Sequence, residues 1–485
     1  MENKAKTWIY GTVVAALALV GSIVAICILI GTDLLTAAII GAICGLDLAL
    51  LAVIFLLTRD SSHKIRAAIG TALAVLMLAV QFVGCYYVAN GASALNHISR
   101  PSVEYVDVGI YVRADDPAGE LIDIKDYTVG ILAVQDRENT DLAIKEAEKD
   151  AGFTLTTAEL DGLEALMDGI LTEKTIGAAL INVAFLDMLS EIEGHETDLE
   201  GLKELCIIHI EKEATRIEHN EISAMEKNTF TVYISGIDTF GRVSTRSRSD
   251  VNILATVNVK TGEILLVSTP RDYYVPLSIS NGIPDKLTHA GIYGIDVSMD
   301  TLEMLYDTEI DYYFRVNFDG FKKIIDALGG VTVYSHYDFY VDYIHFPKGE
   351  NTLNGENALH FARARKPVPG GDQTRGLHQM EVIKGVIKKM TSPSMLLGFS
   401  DVMDGVKDSF ETSLPYDDIS KLVKNQISNG TKWNVTTYAV SGTGATRKPY
   451  SQSLNAYVMI PNEETVDKAK SLMDEVRKGE TPKVD

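Results

Sequence analysis

Three long apolar runs open the chain, and the rest alternates between strand-like and helix-like patterning. Residues 8–30, 34–57 and 67–89 carry almost no charge. Each is long enough to cross, as a helix, the ~30 Å hydrocarbon layer of a bilayer. Lys4 and Lys6 precede the first run, and Arg59, Lys64 and Arg66 fill the link between the second and third, while the turn at 31–33 has no base. The positive-inside rule therefore predicts a cytoplasmic N-terminus, a cytoplasmic second link, and everything after about residue 90 outside the cell. Trp8 and Tyr10 at one end of the runs, and Tyr86 and Tyr87 at the other, suit the two membrane interfaces. Two polar details interrupt this part. Asp47 sits in mid-span, where an ionisable group is either functional or paired within the bundle. Gly41-Ala-Ile-Cys-Gly45 has the small-residue spacing of helix contacts, with a neighbouring span or with a second copy.

The exported part has two sections. In the first, 96–225, residues 127–134 read as a buried strand and 140–149 as a charged helix, and 157–167, 176–189 and 202–209 have mixed patterns. It holds no cluster of bases, Cys or His and is expected to be an accessory domain. In the second, 226–485, alternation marks strands at 230–235, 251–259 and 263–269, the last two joined by the turn signal Lys260-Thr261-Gly262. Helical spacing follows at 297–306, 318–328, 355–363, 379–390, 416–429 and 463–477, with strands at 331–334 and 433–441. Asp285 to Ala290 reads as a polar break. The predicted architecture is α/β, a mixed sheet flanked by helices, with an α/β accessory domain and a membrane domain at 1–95.

This ordering has a geometric consequence. Asp250 opens one arm of a hairpin and Arg271 follows the other, so both fall at the edge opposite the turn. Asp238 ends the strand before the loop that leads to Asp250. If these strands are neighbours, the three residues share one rim, which is where a rigid scaffold assembles a site.

Charge sharpens the picture. The net charge of −22 argues against nucleic acid as a partner. Of the four cysteines, Cys27, Cys44 and Cys85 lie in the apolar runs and only Cys206 is exported, so the exterior domains have no internal disulfide. Against this acidic background, Arg363, Arg365 and Arg375 gather in one segment with Asp372 and Gln379. On a strand, Arg363 and Arg365 would share a face; on a helix, Asp372, Arg375 and Gln379 would form one stripe, with the Pro-Gly run between as a loop. Guanidinium forks bind two phosphate oxygens at once and stay charged at any working pH. Arg271, Arg363, Arg365 and Arg375 with Lys286 are therefore candidates to hold a diphosphate, with Gln379 as a further donor. Asp238 and Asp250 beside phosphate call for a cation between them, and Mg²⁺ is the hard ion that two carboxylates, waters and substrate oxygens hold. Asp372 also suits the N-cap of the helix that follows it.

These residues carry a family resemblance. Gly236-Ile-Asp238, Ser249-Asp250, Ser268-Thr-Pro-Arg271-Asp272, Lys286-Leu-Thr-His-Ala290, Phe318-Asp-Gly-Phe321, Asp326-Ala-Leu-Gly-Gly-Val331 and Ala362-Arg-Ala-Arg365 through Gly371-Asp372 to Arg375 and Gln379 fall in the right order. Over residues 228–392 the chain resembles the catalytic domain of the LytR-CpsA-Psr family. The three spans and the extra exterior domain resemble its capsule-associated, CpsA-type branch. The resemblance implies a phosphotransferase that takes a glycopolymer from undecaprenyl diphosphate and joins it to peptidoglycan through a phosphodiester. It implies a diphosphate held by Arg271, Lys286, Arg363, Arg365, Arg375 and Gln379, and Mg²⁺ held by Asp238 and Asp250. Asp372 would orient Arg363 or Arg375, or accept the proton of the attacking hydroxyl. Implied partners are the lipid-linked polymer, peptidoglycan, the membrane and capsule-assembly proteins. Two other functions use the same residues: hydrolysis of the polyprenyl diphosphate by water, and a membrane regulator that senses the lipid-linked precursor.

Overall fold

The computed structural model describes residues 2–98, 103–213 and 228–484, apart from 61, 187, 190, 191, 193, 240, 393, 394, 396–401, 404 and 453. The side chain of Trp8 and the expected domain boundary at 225/226 lie outside the described residues. The chain divides into two compact units, and helix Asp372–Met390 runs from the second into the first.

The first unit comprises residues 1–99, 388–407 and 414–432. Its three helices, Glu2–Gly31, Ala37–Thr58 and Lys64–Ile98, contain three stretches long and apolar enough to cross a membrane. They meet along a small core of Ala18, Ile54, Ala74 and Met77. Asp47 is paired across the bundle. The Gln81 amide donates to its Oδ2 at 2.8 Å and to the Ser22 hydroxyl at 2.9 Å, so Gln81 ties the three helices together. Among the described residues nothing lies within 4 Å of a side chain built at Gly41 or Gly45, so that small-residue face is not used between these spans. Helix Tyr416–Asn429 belongs to the same unit, and its Lys424 and Ser420 bond Asp33 in the turn between the first two spans.

The second unit holds two sheets. The first has order β3-β2-β4-β1-β5, built from β1 Val103–Arg113, β2 Thr128–Leu132, β3 Thr156–Leu160, β4 Ala178–Asn182 and β5 Leu202–Glu213. Its longest pairing, β1 with β5, is antiparallel, whereas β2 runs parallel to β3 and β4. Strand β1 carries no clean alternation because it is covered on both faces, and the sequence pattern misses it.

The second sheet comprises β6 Thr229–Ile237, β7 Ser249–Asn258, β8 Glu263–Thr269, β11 Tyr312–Val316, β16 Phe410–Thr412 and β17 Asn434–Ala439, in the order β16-β11-β6-β7-β8-β17. Four ribbon pairs complete the strands: β9 Tyr274–Pro276 with β10 Pro284–Lys286, β12 Val331–Ser335 with β15 Gly349–Leu353, β13 Phe339–Val341 with β14 Ile344–Phe346, and β18 Gly442–Arg447 with β19 Ala456–Pro461. Helices Ile295–Tyr306 and Glu463–Arg477 close one core against the sheet: Met299, Leu302, Tyr306, Val466, Leu472 and Met473 pack on Tyr233, Leu254, Leu265 and Val267.

Two expectations are corrected. Arg363 and Arg365 do not share a strand. Asn354 caps helix Gly355–Arg363 by accepting from the Asn357 amide, Ala358, Phe361 and Ala362 bury its apolar stripe, and the chain turns extended only at Ala364. Capping and i, i+3, i+4 burial outweigh the two-residue spacing of the arginines. Nor is 285–290 a break between elements: β10 runs to Lys286 and a short helical turn, Leu287–His289, follows it. Asp285, Thr288 and His289 are wholly buried, with the Asp285 carboxylate meeting His289 Nδ1 at 2.7 Å and Ser451 Oγ at 3.1 Å. These polar residues point inward because each has a partner there.

Candidate active site

The rim expected from the hairpin exists. Strands β6, β7 and β8 are consecutive antiparallel neighbours, so the end of β6, the start of β7 and the end of β8 lie together. A bulge between Gly236 and Ile237 turns the edge of β6, and the buried hydroxyls of Tyr233, Ser235 and Ser249 bond one another beneath it at 2.8 Å. Asp250 therefore projects from a fixed base. Its Oδ2 accepts from Arg271 Nη1 at 2.6 Å and its Oδ1 from the Thr288 hydroxyl at 3.1 Å. Thr288 is a site residue that pattern reasoning passed over; its backbone amide also bonds the Arg271 carbonyl, which folds the buried 285–290 segment behind the rim.

Asp238 follows β6, with Arg248 Nη2 at 3.4 Å from its Oδ2. The two carboxylates sit in different fields. Burial raises the Asp238 pKa, and the Asp250 charge raises it further. Burial would raise Asp250 too, but the guanidinium charges of Arg271, Arg248 and Arg375 outweigh it and hold its pKa below the usual value. A half-buried carboxylate whose pKa is raised by burial and then by a second carboxylate beside it is in a condition that a divalent cation would relieve, so the donor chemistry of the pair would suit Mg²⁺. Among the described residues no group of three or more His, Cys, Asp or Glu could hold a metal, so waters and substrate oxygens would complete the shell.

Helix Asp372–Met390 brings the second half of the site. It passes so close to β8 that a side chain at Gly376 would stand 2.5 Å from Ser268 Oγ. This seats Arg375 beside Asp250. Asp372 is the first helical residue rather than a cap, and its carboxylate turns to Arg375 Nη2 at 2.6 Å and Arg365 Nε at 3.5 Å. Burial pulls the Arg375 pKa down, with Arg365 and Arg271 adding like charge, while Asp372 and Asp250 oppose that. The Arg363 guanidinium carbon lies 4.5 Å from the centroid of the Phe318 ring, a cation–π contact.

Two cavities meet at Asp372. The narrower is lined by Asp250, Thr269, Arg271, Asp372, Arg375 and Gln379 among others. The wider, about 660 Å³, is lined by Val341, Arg363, Ala364, Arg365, Lys366, Pro367, Gly371 and Asp372. Gln379 gives a weak bond to the Ala362 carbonyl at 3.4 Å, which links the two arginine-bearing helices. Lys286 is buried and faces Asp272 at 3.8 Å, directly behind Arg271. The nine residues singled out in the sequence are thus brought to one rim, with Asp238 and Lys286 reaching it through their neighbours.

Comparison with known proteins gives this rim a lineage. The model of the LytR_cpsA_psr family matches residues 206–475. The polyisoprenyl-teichoic acid–peptidoglycan teichoic acid transferase TagU of Bacillus subtilis is 35% identical over 238 residues, 49% of this chain and 76% of that protein. Its namesake in Bacillus cereus (strain AH820) is 41% identical over 181 residues, 37% of this chain and 59% of that protein. The crystal structure of B. subtilis TagV aligns with 53% of this chain and 99% of its own at 28% identity and a TM-score of 0.44. With more than half of its length matched by the family model, and the rim residues inside that match, this chain belongs to the LytR-CpsA-Psr family.

Proposed function

We propose that the chain is a membrane-anchored phosphotransferase that moves a glycopolymer, as its glycan-1-phosphate, from a polyprenyl diphosphate to peptidoglycan. The observation that carries this is the gathering of Arg271 on Asp250 and of Arg365 and Arg375 on Asp372, with Arg363 lining the same cavity as Asp372, in a chain of net charge −22. A cationic nest of that kind is built for a diphosphate. The TagU relatives, named as polyisoprenyl-teichoic acid–peptidoglycan teichoic acid transferases, support the reaction class. An acceptor hydroxyl attacks the phosphorus that bears the glycan, a new P–O bond forms, and the bond to the second phosphate breaks. The hydroxyl proton is released and polyprenyl phosphate leaves.

In this scheme Arg271 and Arg375 hold one phosphate in the narrow cavity, and Arg363 and Arg365 hold the other in the wide one. Gln379 and Lys286 support them. Asp372, which lines both cavities, orients Arg375 and Arg365 and is placed to receive the hydroxyl proton. Mg²⁺ bound at Asp238 and Asp250 would neutralise charge on the phosphate oxygens. Most of what phosphoryl transfer asks of a protein is this positioning and neutralisation.

The N-terminus is assigned to the cytoplasm and the catalytic domain to the outside. The lysines and arginines that flank the spans support this by the positive-inside rule. The carrier is taken to be undecaprenyl diphosphate. A capsule-type polymer, with capsule-assembly proteins as further partners, rests on the three spans and the extra exterior domain, whereas the relatives are named for teichoic acid.

The test uses the full chain in lipid nanodiscs with a polyprenyl-diphosphate-linked oligosaccharide, peptidoglycan fragments and Mg²⁺. Mass spectrometry should find sugar phosphate joined to the fragments, and joining should vanish in Asp250→Ala and on chelation. Free sugar phosphate without joined product would replace the transferase with a hydrolase. Tight donor binding without any turnover would move the regulator reading forward.

A further inference from the structure

The wider cavity has a lip that the phosphate chemistry leaves unused. Strands β13 and β14 form a tight ribbon in which Phe339 pairs with Phe346, Tyr340 with His345 and Val341 with Ile344. The turn is Asp342-Tyr343, with Asp342 in the left-handed region at φ 53°, where Asp is among the residues tolerated. One face is anchored. Phe339 and Phe346 stack at 5.1 Å, and the stack continues onto Phe361 and His378 of the two arginine-bearing helices. The opposite face is open. Tyr340 is 58% exposed and lies parallel to His345 with ring centroids 4.4 Å apart, and Tyr343 at the tip is 100% exposed. Carboxylates flank these rings: Asp338 meets His345 at 3.0 Å, and Asp342 meets His360 at 3.5 Å. Val341, between the two, lines the cavity with Arg363, Arg365 and Lys366.

Flat exposed aromatic rings on a rigid base, with carboxylates at their edges, match the chemistry of a sugar. Its C–H face lies on the ring, and its hydroxyls donate to the carboxylates. The same carboxylates disfavour an anionic lipid surface, which would be met by Asp338, Asp342 and Glu356. We propose that the β13–β14 ribbon is the platform for the acceptor glycan. Tyr340, His345 and Tyr343 hold the sugar rings of a peptidoglycan strand on the open face. The strand passes the ribbon's edge into the wide cavity, which Val341 lines from the other face, so that its acceptor hydroxyl reaches Asp372. At about 660 Å³ that cavity is within the range of small-ligand sites. The inference rests on the transferase reading and names the second substrate's seat in it.

The experiment separates the two ideas. Full-length protein in nanodiscs is titrated with purified peptidoglycan fragments without donor, and in parallel with a polyprenyl-diphosphate-linked oligosaccharide without acceptor. Tyr340→Ala/Tyr343→Ala should weaken fragment binding about ten-fold, the scale of losing two stacking rings, with donor affinity unmoved. Tyr340→Phe, which keeps the ring, should bind fragments like wild type. Where turnover is seen, the same double variant should raise the KM for fragments and leave the KM for donor in place. Fragment binding unchanged in the double variant overturns the proposal. Loss of donor affinity to the same degree also overturns it, as a general disturbance. Loss of binding to anionic vesicles, with fragment binding intact, would reassign the ribbon to the membrane. Because fragment binding needs no turnover, it tests the ribbon even where wild type transfers nothing.

Discussion

Glu104, in the first strand of the accessory sheet, offers the sharpest test of how the second unit is held together. It is 2% exposed and sits between two arginines of the catalytic section, accepting from Arg246 Nε at 2.7 Å and Arg315 Nη1 at 2.8 Å. Next to it, the Tyr105 backbone bonds Ser244 and Arg246 in the loop that joins Asp238 to Asp250. In Glu104→Gln the amide oxygen can still accept from one guanidinium, but the amide NH₂ turns a donor toward the other. Arg315 keeps Glu411 and Arg246 keeps the Tyr293 carbonyl, so the loss is the part that Glu104 alone supplied. Removing one member of a buried charge network costs about 3–5 kcal/mol. The pH dependence has a definite sign. Burial pushes the Glu104 pKa up, but Arg315 and Arg246 overcome it and hold the value below the ordinary one. Its contribution is therefore fully present above the unfolded Glu pKa of about 4.3 and fades as pH falls through the lower folded value. Denaturant unfolding of the full chain in nanodiscs, followed by tryptophan and tyrosine fluorescence from pH 7 to 3, should show a constant gap between wild type and Glu104→Gln down to about pH 5, closing below it. A gap under about 1 kcal/mol at pH 7, the size of a surface pair, would refute the reasoning, as would a gap that persists undiminished at pH 3.

Three further outcomes are expected. Asp372→Asn keeps the shape but loses the charge that holds Arg375 and Arg365, so transfer at saturating substrates should fall about 10²-fold or more, the scale of losing a proton acceptor, by mass-spectrometric product counting. Arg363→Lys gives up the guanidinium contact with Phe318 and the bidentate fork, and should weaken donor binding about ten-fold, a loss of roughly 1–2 kcal/mol, in a direct titration. Burial among Phe339 and Phe361 lowers the His378 pKa to about 4, so wild type should lose stability on acidification from about pH 6.5 toward 4 at roughly 1.4 kcal/mol per unit, and His378→Phe should flatten that part of the curve.

Much of the catalytic section was legible because its signals are local. The β7–β8 hairpin follows from alternation and the Lys260-Thr261-Gly262 turn, and helices Tyr416–Asn429 and Glu463–Arg477 have the bounds their spacing predicts. The rim of Asp238, Asp250 and Arg271 then follows from strand order alone. Other parts were illegible for stated reasons. Strand β11 is parallel to β6 across about 80 residues of sequence, and no local pattern records that pairing. Thr288 carries no charge or periodic signal, and only the fold brings its hydroxyl to Asp250. In the arginine segment, helical spacing predicts 355–363 and the two-residue spacing of Arg363 and Arg365 allows a strand at its end; a helix cap and a buried Phe361 decide for the helix, Gly355–Arg363.

The electrostatics of the rim also suggest why an acidic chain can keep so many arginines together. Arg271 is held by Asp250, and Arg375 and Arg365 share Asp372, so two carboxylates offset part of the charge of three guanidiniums before any phosphate arrives. An incoming diphosphate must compete with those carboxylates. With a divalent cation held at Asp250 and Asp238, as proposed, Asp250 would be occupied and Arg271 would be left to the substrate. Cation and donor should therefore bind with positive coupling, each tightening the other by the same factor. Asp250→Asn removes the competitor and the cation's anchor together, so donor binding in that variant should be tighter without Mg²⁺ than in wild type and indifferent to its addition. Titrating donor into both proteins with and without Mg²⁺ checks this. If Asp250→Asn instead weakened donor binding without Mg²⁺, Asp250 would be serving to orient Arg271 rather than restrain it, and the competition would have to be abandoned.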